Sequence, residues 1–342
     1  MMKWLIILVF SSVLVGCVSI YKSDIEFPKE QNSYVEFLNE TFISIPLEME
    51  IKGDNIYISD FRGDSLLWCY NLQLKTFKRL LPYGEGPEEF LSPIQFFIND
   101  SVMNVYNRWH YSLRCCVIDS LGLNISSISK TIKVSTDVDM IYPLGKTYWI
   151  ASGRFTDSRF LIMNEEGEIV SNCGSYPNYM DGEDLISNFP KFMFHQSMFG
   201  FREKDSCLVC VTNHVLDFWN YNNKELLLKK RILLSPYTYQ YKEEDYWASA
   251  IPDNIVEKGT ERVYCTDDFI YLLYNPNIHK NINEKEDILN SEIWVFDWNG
   301  NPITKICTNK KIICFCVDPS ESLIYCIFKD ADYEIGKLKY VL

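Results

Sequence analysis

Asn55–Phe90, NIYISDFRGDSLLWCYNLQLKTFKRLLPYGEGPEEF, is the stretch whose reading decides the fold. NIYISD and SLLWCYNL alternate apolar and polar residues with a period of two, the pattern of strands that turn one face to a core. FRGD between them is a tight turn, TFKRLLPY reads as a further strand, and PLEMEIK at Pro46–Lys52 supplies one just upstream. Four short strands joined by short turns make one antiparallel module, the unit of a propeller.

The module recurs. Its second strand falls near Ile56, Val102, Thr147, Cys207, Phe269 and Leu323, so the chain reads as all-β, a six-bladed β-propeller of four-stranded antiparallel blades. The expected blades are about 46–82, 92–134, 137–174, 192–234, 258–308 and 311–342. The last offers only three strands, KKIICFCVD, SLIYCIF and YEIGKLKYVL, while YVEFLNETFISI at the other end of the propeller has no module of its own. Residues 35–45 are therefore expected to close the last blade and hide two sheet edges. The connections Tyr176–Lys191 and Pro236–Asn254 each suit a short helix.

The chain opens MMKW, then LIILVFSSVLV, an apolar run too short for an ordinary membrane span. Leu14, Val15, Gly16 and Cys17 resemble the bacterial lipobox, in which the signal is cut before the cysteine and the thiol is lipidated. Residues 1–16 then form a signal peptide and Cys17 the acylated N-terminus. Residues 17–33 mix charged and apolar residues without a period and read as a tether, with the propeller at 34–342. Lys and Arg number 33 against 46 Asp and Glu, a net charge of −13. So acidic a chain is no partner for nucleic acid and is repelled by anionic lipid, which leaves the acyl group as the attachment to the bilayer. Twelve cysteines are present. Cys207 and Cys210 point to opposite faces of a strand, and Cys314 and Cys316 sit roughly 6.6 Å apart at the edge of disulfide reach. Mostly buried free thiols are expected.

The lipobox at Cys17, GEGPEEF with Gly84, Gly86, Pro87, Glu89 and Phe90 after the first blade, and WVFDWNGNPI at Trp294–Ile303 in the fifth together resemble the TolB-like six-bladed propeller lipoproteins of Gram-negative bacteria, related to NHL propellers. The resemblance implies the fold, export, and residence in the cell envelope, with the outer membrane as the expected site. It brings no catalytic residues and no cofactor.

Residues that suggest chemistry have plainer readings. His110, His195, His214 and His279 lie in different modules without metal spacing, and suit loop or packing roles. GEGPEEF lacks the Lys and Ser/Thr of a phosphate loop and reads as a blade link anchored by Phe90. Arg62-Gly63-Asp64 is a hairpin turn before it is an adhesion motif. Two classes of function follow: a lipid-anchored binding or scaffold module for a protein, peptide or glycan, which is the reading preferred, and a gluconolactonase-like hydrolase or lyase with a metal on the axis. One regularity suggests a site. Arg62, Arg108 and Arg154 follow the second strands of three successive blades at equal spacing, and Lys329 holds a similar place in the sixth. With Glu85 and Glu89 of the GEGPEEF link they would rim one end of the propeller, where guanidinium groups suit an anionic glycan or an acidic peptide.

Overall fold

Asn55–Asp60 is buried along its whole length, and so is nearly all of Ser65–Asn71. A period-two strand usually keeps one wet face, but here both faces meet apolar neighbours because sheets stack face to face. The computed structural model describes residues 25–40, 43–278, 291–318, 320, 322–330 and 332–342. Leu14–Cys17, the rest of the segment before Ile25, and His279 lie outside the described residues.

Six sheets form the blades of the propeller, each built on four antiparallel strands, and one of them carries a fifth strand. Blade one is Pro46–Lys52, Asn55–Asp60, Ser65–Asn71 and Thr76–Pro82, and blades two to four begin at Ile94, Val138 and Met198. Blade five begins at Glu257 and blade six at Lys311. Each pair of neighbours shares an apolar cluster. Ile56 and Ile58 of blade one meet Cys314, Cys316 and Ile327 of blade six, and Ile312 and Phe328 of blade six meet Tyr271 and Val295 of blade five. The four remaining junctions have clusters of the same kind. The eleven described cysteines are all free thiols, several of them buried in these clusters.

Closure follows the strand count. Val35–Glu40 pairs antiparallel with Tyr333–Lys339 as the outermost strand of blade six, with Val35 opposite Leu338 and Glu36 opposite Lys337. A Glu36–Lys337 ion pair at 2.9 Å reinforces that register.

Three expectations need correction. Residues 25–33 are not tether. Glu30–Asn32 adds a fifth, parallel strand to blade five, and Phe27 packs on Trp294 and Phe296 at centroid distances of 5.3 and 5.6 Å. These side chains offer an apolar groove that a period search over so short a segment does not reveal. Blade four begins at Met198 rather than near residue 192, because Asn188–Phe194 is a helix. The connection Pro236–Asn254 makes a hairpin, Tyr239–Glu244 with Trp247–Pro252, in place of a helix.

GEGPEEF behaves as a blade link. Phe90 is buried, Glu89 accepts the Gly86 N–H at 2.8 Å, and Arg114 donates to the Glu89 carbonyl at 2.8 Å while lying over the Phe90 ring. Gly84 has φ +155, and a Cβ there would collide with the Glu89 carboxylate, so only glycine fits. A chain beginning at Ile43, which lacks the closing strand, is expected to lose its single cooperative unfolding transition and to aggregate through the exposed edge of blade six. Soluble protein with an unchanged melting temperature would contradict this account of closure.

Candidate ligand-binding face

In an up-and-down blade, the turns between second and third strands and the links to the next blade share one end of the ring. On that end two links are long. Gly174–Ser197 carries a short 3-10 turn, Glu183–Leu185, and the helix Asn188–Phe194, while Leu234–Val256 carries the hairpin. Phe194 stacks on Tyr239 at 4.1 Å, which packs helix against hairpin.

A buried carboxylate fastens this cap. Glu183 accepts from His195 Nε2 at 2.8 Å, Tyr237 at 2.9 Å, Tyr239 at 3.1 Å and the Tyr179 N–H at 2.8 Å. Burial pushes its carboxyl up, but hydrogen bonds and the charge of His195 outweigh that and hold it below the ordinary glutamate range. Desolvation in turn lowers His195. Beneath lies a second knot. Arg159, fully buried, reaches Asp217 at 2.7 Å, and Arg231 reaches the same carboxylate at 2.6 Å. His195 and His214 are thus packing residues, His214 with Nδ1 2.9 Å from Ser235 Oγ.

At the same end the first strands of all six blades surround an axial funnel of about 650 Å³. Its charged lining is Glu48, Arg108, Asp139, Glu261, Arg262 and Lys311. Glu50 continues the column inward beside Tyr142, Tyr264 and Cys265. Burial raises Glu48 to about 7 against the opposing charge of Arg262, and raises Glu50 to about 7 with help from Glu48. Among the described residues no three His, Cys, Asp or Glu side chains come together as a metal set.

The arginine regularity is only partly realised as a cluster. Arg108 and Arg154 line one cleft of about 320 Å³ with Trp109, Phe189, Tyr246 and Trp247. Arg108 pairs with Asp139 at 2.6 Å and Arg154 with Asp137 at 3.8 Å. Burial outweighs the Arg108 charge and leaves Asp139 above the usual aspartate range. Arg62 lines a neighbouring cleft with Phe61 and Tyr83, and Trp109 forms the wall common to both. Lys329 stands apart, its Nζ 5.7 Å from the Tyr333 ring centroid. Glu85 is exposed on the GEGPEEF loop, and Glu89 is used within that loop. Sequence reading missed Glu48, Glu50, Asp139 and Arg262. The available signal was polar residues alternating along the first strand of a blade, where the solvent face is the channel.

Fold and funnel together define a six-bladed propeller with a capped end. A family model of TolB-like six-blade propellers matches residues 26–320, and the chain belongs to that family. Among solved structures it is similar to a Bacteroides fragilis protein described as exported, at 10% identity over 92% of this chain and 99% of that one, TM-score 0.54. A member of the DUF4221 family from Bacteroides vulgatus matches at 10% identity over 90% and 96% of the two chains, TM-score 0.53. At such identity the likeness concerns the fold. No curated protein matches.

Two stability measurements check this geometry. Asp217→Ala leaves the buried Arg159 guanidinium without its carboxylate and is expected to cost about 3–5 kcal/mol. Because Glu50 is raised, the folded state holds a proton that the unfolded chain releases between its ordinary 4.5 and about 7, so stability declines as pH rises through that window. Glu50→Gln is therefore expected to match the parent at pH 4 and to exceed it by about 1–2 kcal/mol at pH 8, the channel water keeping the effect below full linkage. Equal stability at pH 8 would show that Glu50 is not desolvated.

Proposed function

We propose that this chain is an exported, lipid-anchored propeller of the cell envelope that serves as a binding or scaffold module, with the capped end as its ligand seat. The observation that carries the reading is the asymmetry of that end. Helix, hairpin and arginine-bearing turns enclose clefts that adjoin the axial funnel, Arg108 and Asp139 lining both. Concave, mostly apolar clefts with a few directed polar groups are the usual form of a ligand site. The partner is a protein, peptide or glycan, and the acyl group on Cys17 is the contact with the bilayer, the outer membrane of a Gram-negative cell.

The path of the chain supports this orientation. Glu30 pairs in parallel with Lys305, so residues before Glu30 run toward the Asp297–Pro302 turn, at the end opposite the cap. Ile25 stands eight positions after Cys17, a reach of at most about 29 Å. The capped end then faces away from the membrane.

Cys17→Ala is expected to move the protein from the membrane fraction to the soluble one. Retention in the membrane would overturn the anchor. For the seat, an envelope extract added to the full mature chain is expected to slow amide exchange at residues 108–111, 154–158 and 239–252. Protection confined to the opposite end would overturn the assignment of the face.

A further inference from the structure

Three of the six second-to-third-strand turns put an aromatic residue directly beside an arginine: Phe61 with Arg62, Arg108 with Trp109, and Arg154 with Phe155. The guanidinium of Arg62 lies 5.9 Å from the Phe61 ring centroid, and that of Arg108 lies 6.0 Å from that of Trp109. From the cap, Tyr246 and Trp247 face the same cleft as Trp109. These rings are wet. Trp109 is 57% exposed, Tyr246 92% and Trp247 50%. Large aromatic surfaces left in water around a cleft mark a binding site, since their burial elsewhere would have stabilised the fold.

We infer that this double cleft binds an anionic polysaccharide, an inference that rests on the reading of the capped end as the ligand seat. A sugar ring has an apolar C–H face, which packs on an exposed aromatic face at small entropic cost, because Trp and Tyr have few rotatable bonds. Its hydroxyls both donate and accept. The Arg108–Asp139 and Arg154–Asp137 pairs present a donor next to an acceptor, matching adjacent hydroxyls. Arg62 differs, because no carboxylate lies within ion-pair distance of it among the described residues. It supplies the positive fork for a sugar carboxylate or sulfate. One anionic group at Arg62 and hydroxyls at the ion pairs describe an acidic glycan.

An acidic peptide fits less well. Asp137 and Asp139 beside the arginines call for donors, which sugar hydroxyls supply and ionised Asp or Glu side chains do not. A bilayer is disfavoured by the entry of the chain at the opposite end, which turns the clefts away from the membrane.

The probes are polygalacturonate, dextran sulfate, neutral dextran and poly-glutamate, titrated against the full mature chain by calorimetry at moderate salt. Saturable binding of polygalacturonate or dextran sulfate is expected, the stronger of the two telling carboxylate from sulfate. Dextran and poly-glutamate should bind at least about tenfold more weakly, the loss of one charge-assisted contact or of the stacking. Trp109→Ala and Arg62→Glu should each weaken the anionic polysaccharide by about tenfold or more, while the exposed control Tyr34→Ala has no effect. The altered side chains are exposed, so folding is retained, and circular dichroism verifies it. Poly-glutamate binding as tightly as the polysaccharides, indifference to Trp109→Ala, or no binding of either polysaccharide would each overturn the inference. If an envelope extract still protects the capped end in that case, the seat stands and only its ligand class falls.

Discussion

A ring of sheets is stable only if it closes, and every junction here depends on the strand that does so. Val35–Glu40 occupies the vacant place in blade six, so that the first and last segments of the propeller are held in one hydrogen-bonded sheet. Without it, the outer edge of that blade would be a free template for pairing with another chain. Glu30–Asn32 extends the same fastening to blade five. Two sheets separated by most of the sequence thus become one wall, and the apolar cluster joining blades one and six can form.

Closure also creates the site. Once six first strands face a common axis, their outward polar residues are no longer in bulk water. They line a channel, where Glu48 and Glu50 lose hydration and are pushed up to about 7. The same residues on an open sheet would be ordinary surface carboxylates. The ring therefore stores a modest electrostatic cost along its axis, and the large inter-blade clusters offset it.

The cap is built differently, on polar contacts rather than apolar stacking alone. Glu183 gathers His195, Tyr237 and Tyr239, and Asp217 gathers Arg159 and Arg231. Each carboxylate is held by several partners at once, so losing either one leaves buried polar groups unpaired in the cap. A fixed cap gives the clefts beside Trp109 defined walls.

Read alone, the sequence determined the blade, the number of blades and the closing strand, because period-two alternation and repeat spacing are local properties of the chain. It also marked Phe90 as the anchor of its link. The equal spacing of Arg62, Arg108 and Arg154 was visible too, but spacing does not say which side chains meet. Only the tertiary structure showed that Arg108 and Arg154 share a cleft, that Arg62 lies across Trp109, and that Lys329 stands apart. Residues 25–33 took their place on blade five through contacts with Trp294 and Phe296, far away in sequence. Glu48, Glu50 and the aromatic cap residues gained their character from enclosure. Enclosure is a property of distant segments brought together, and no local pattern records it.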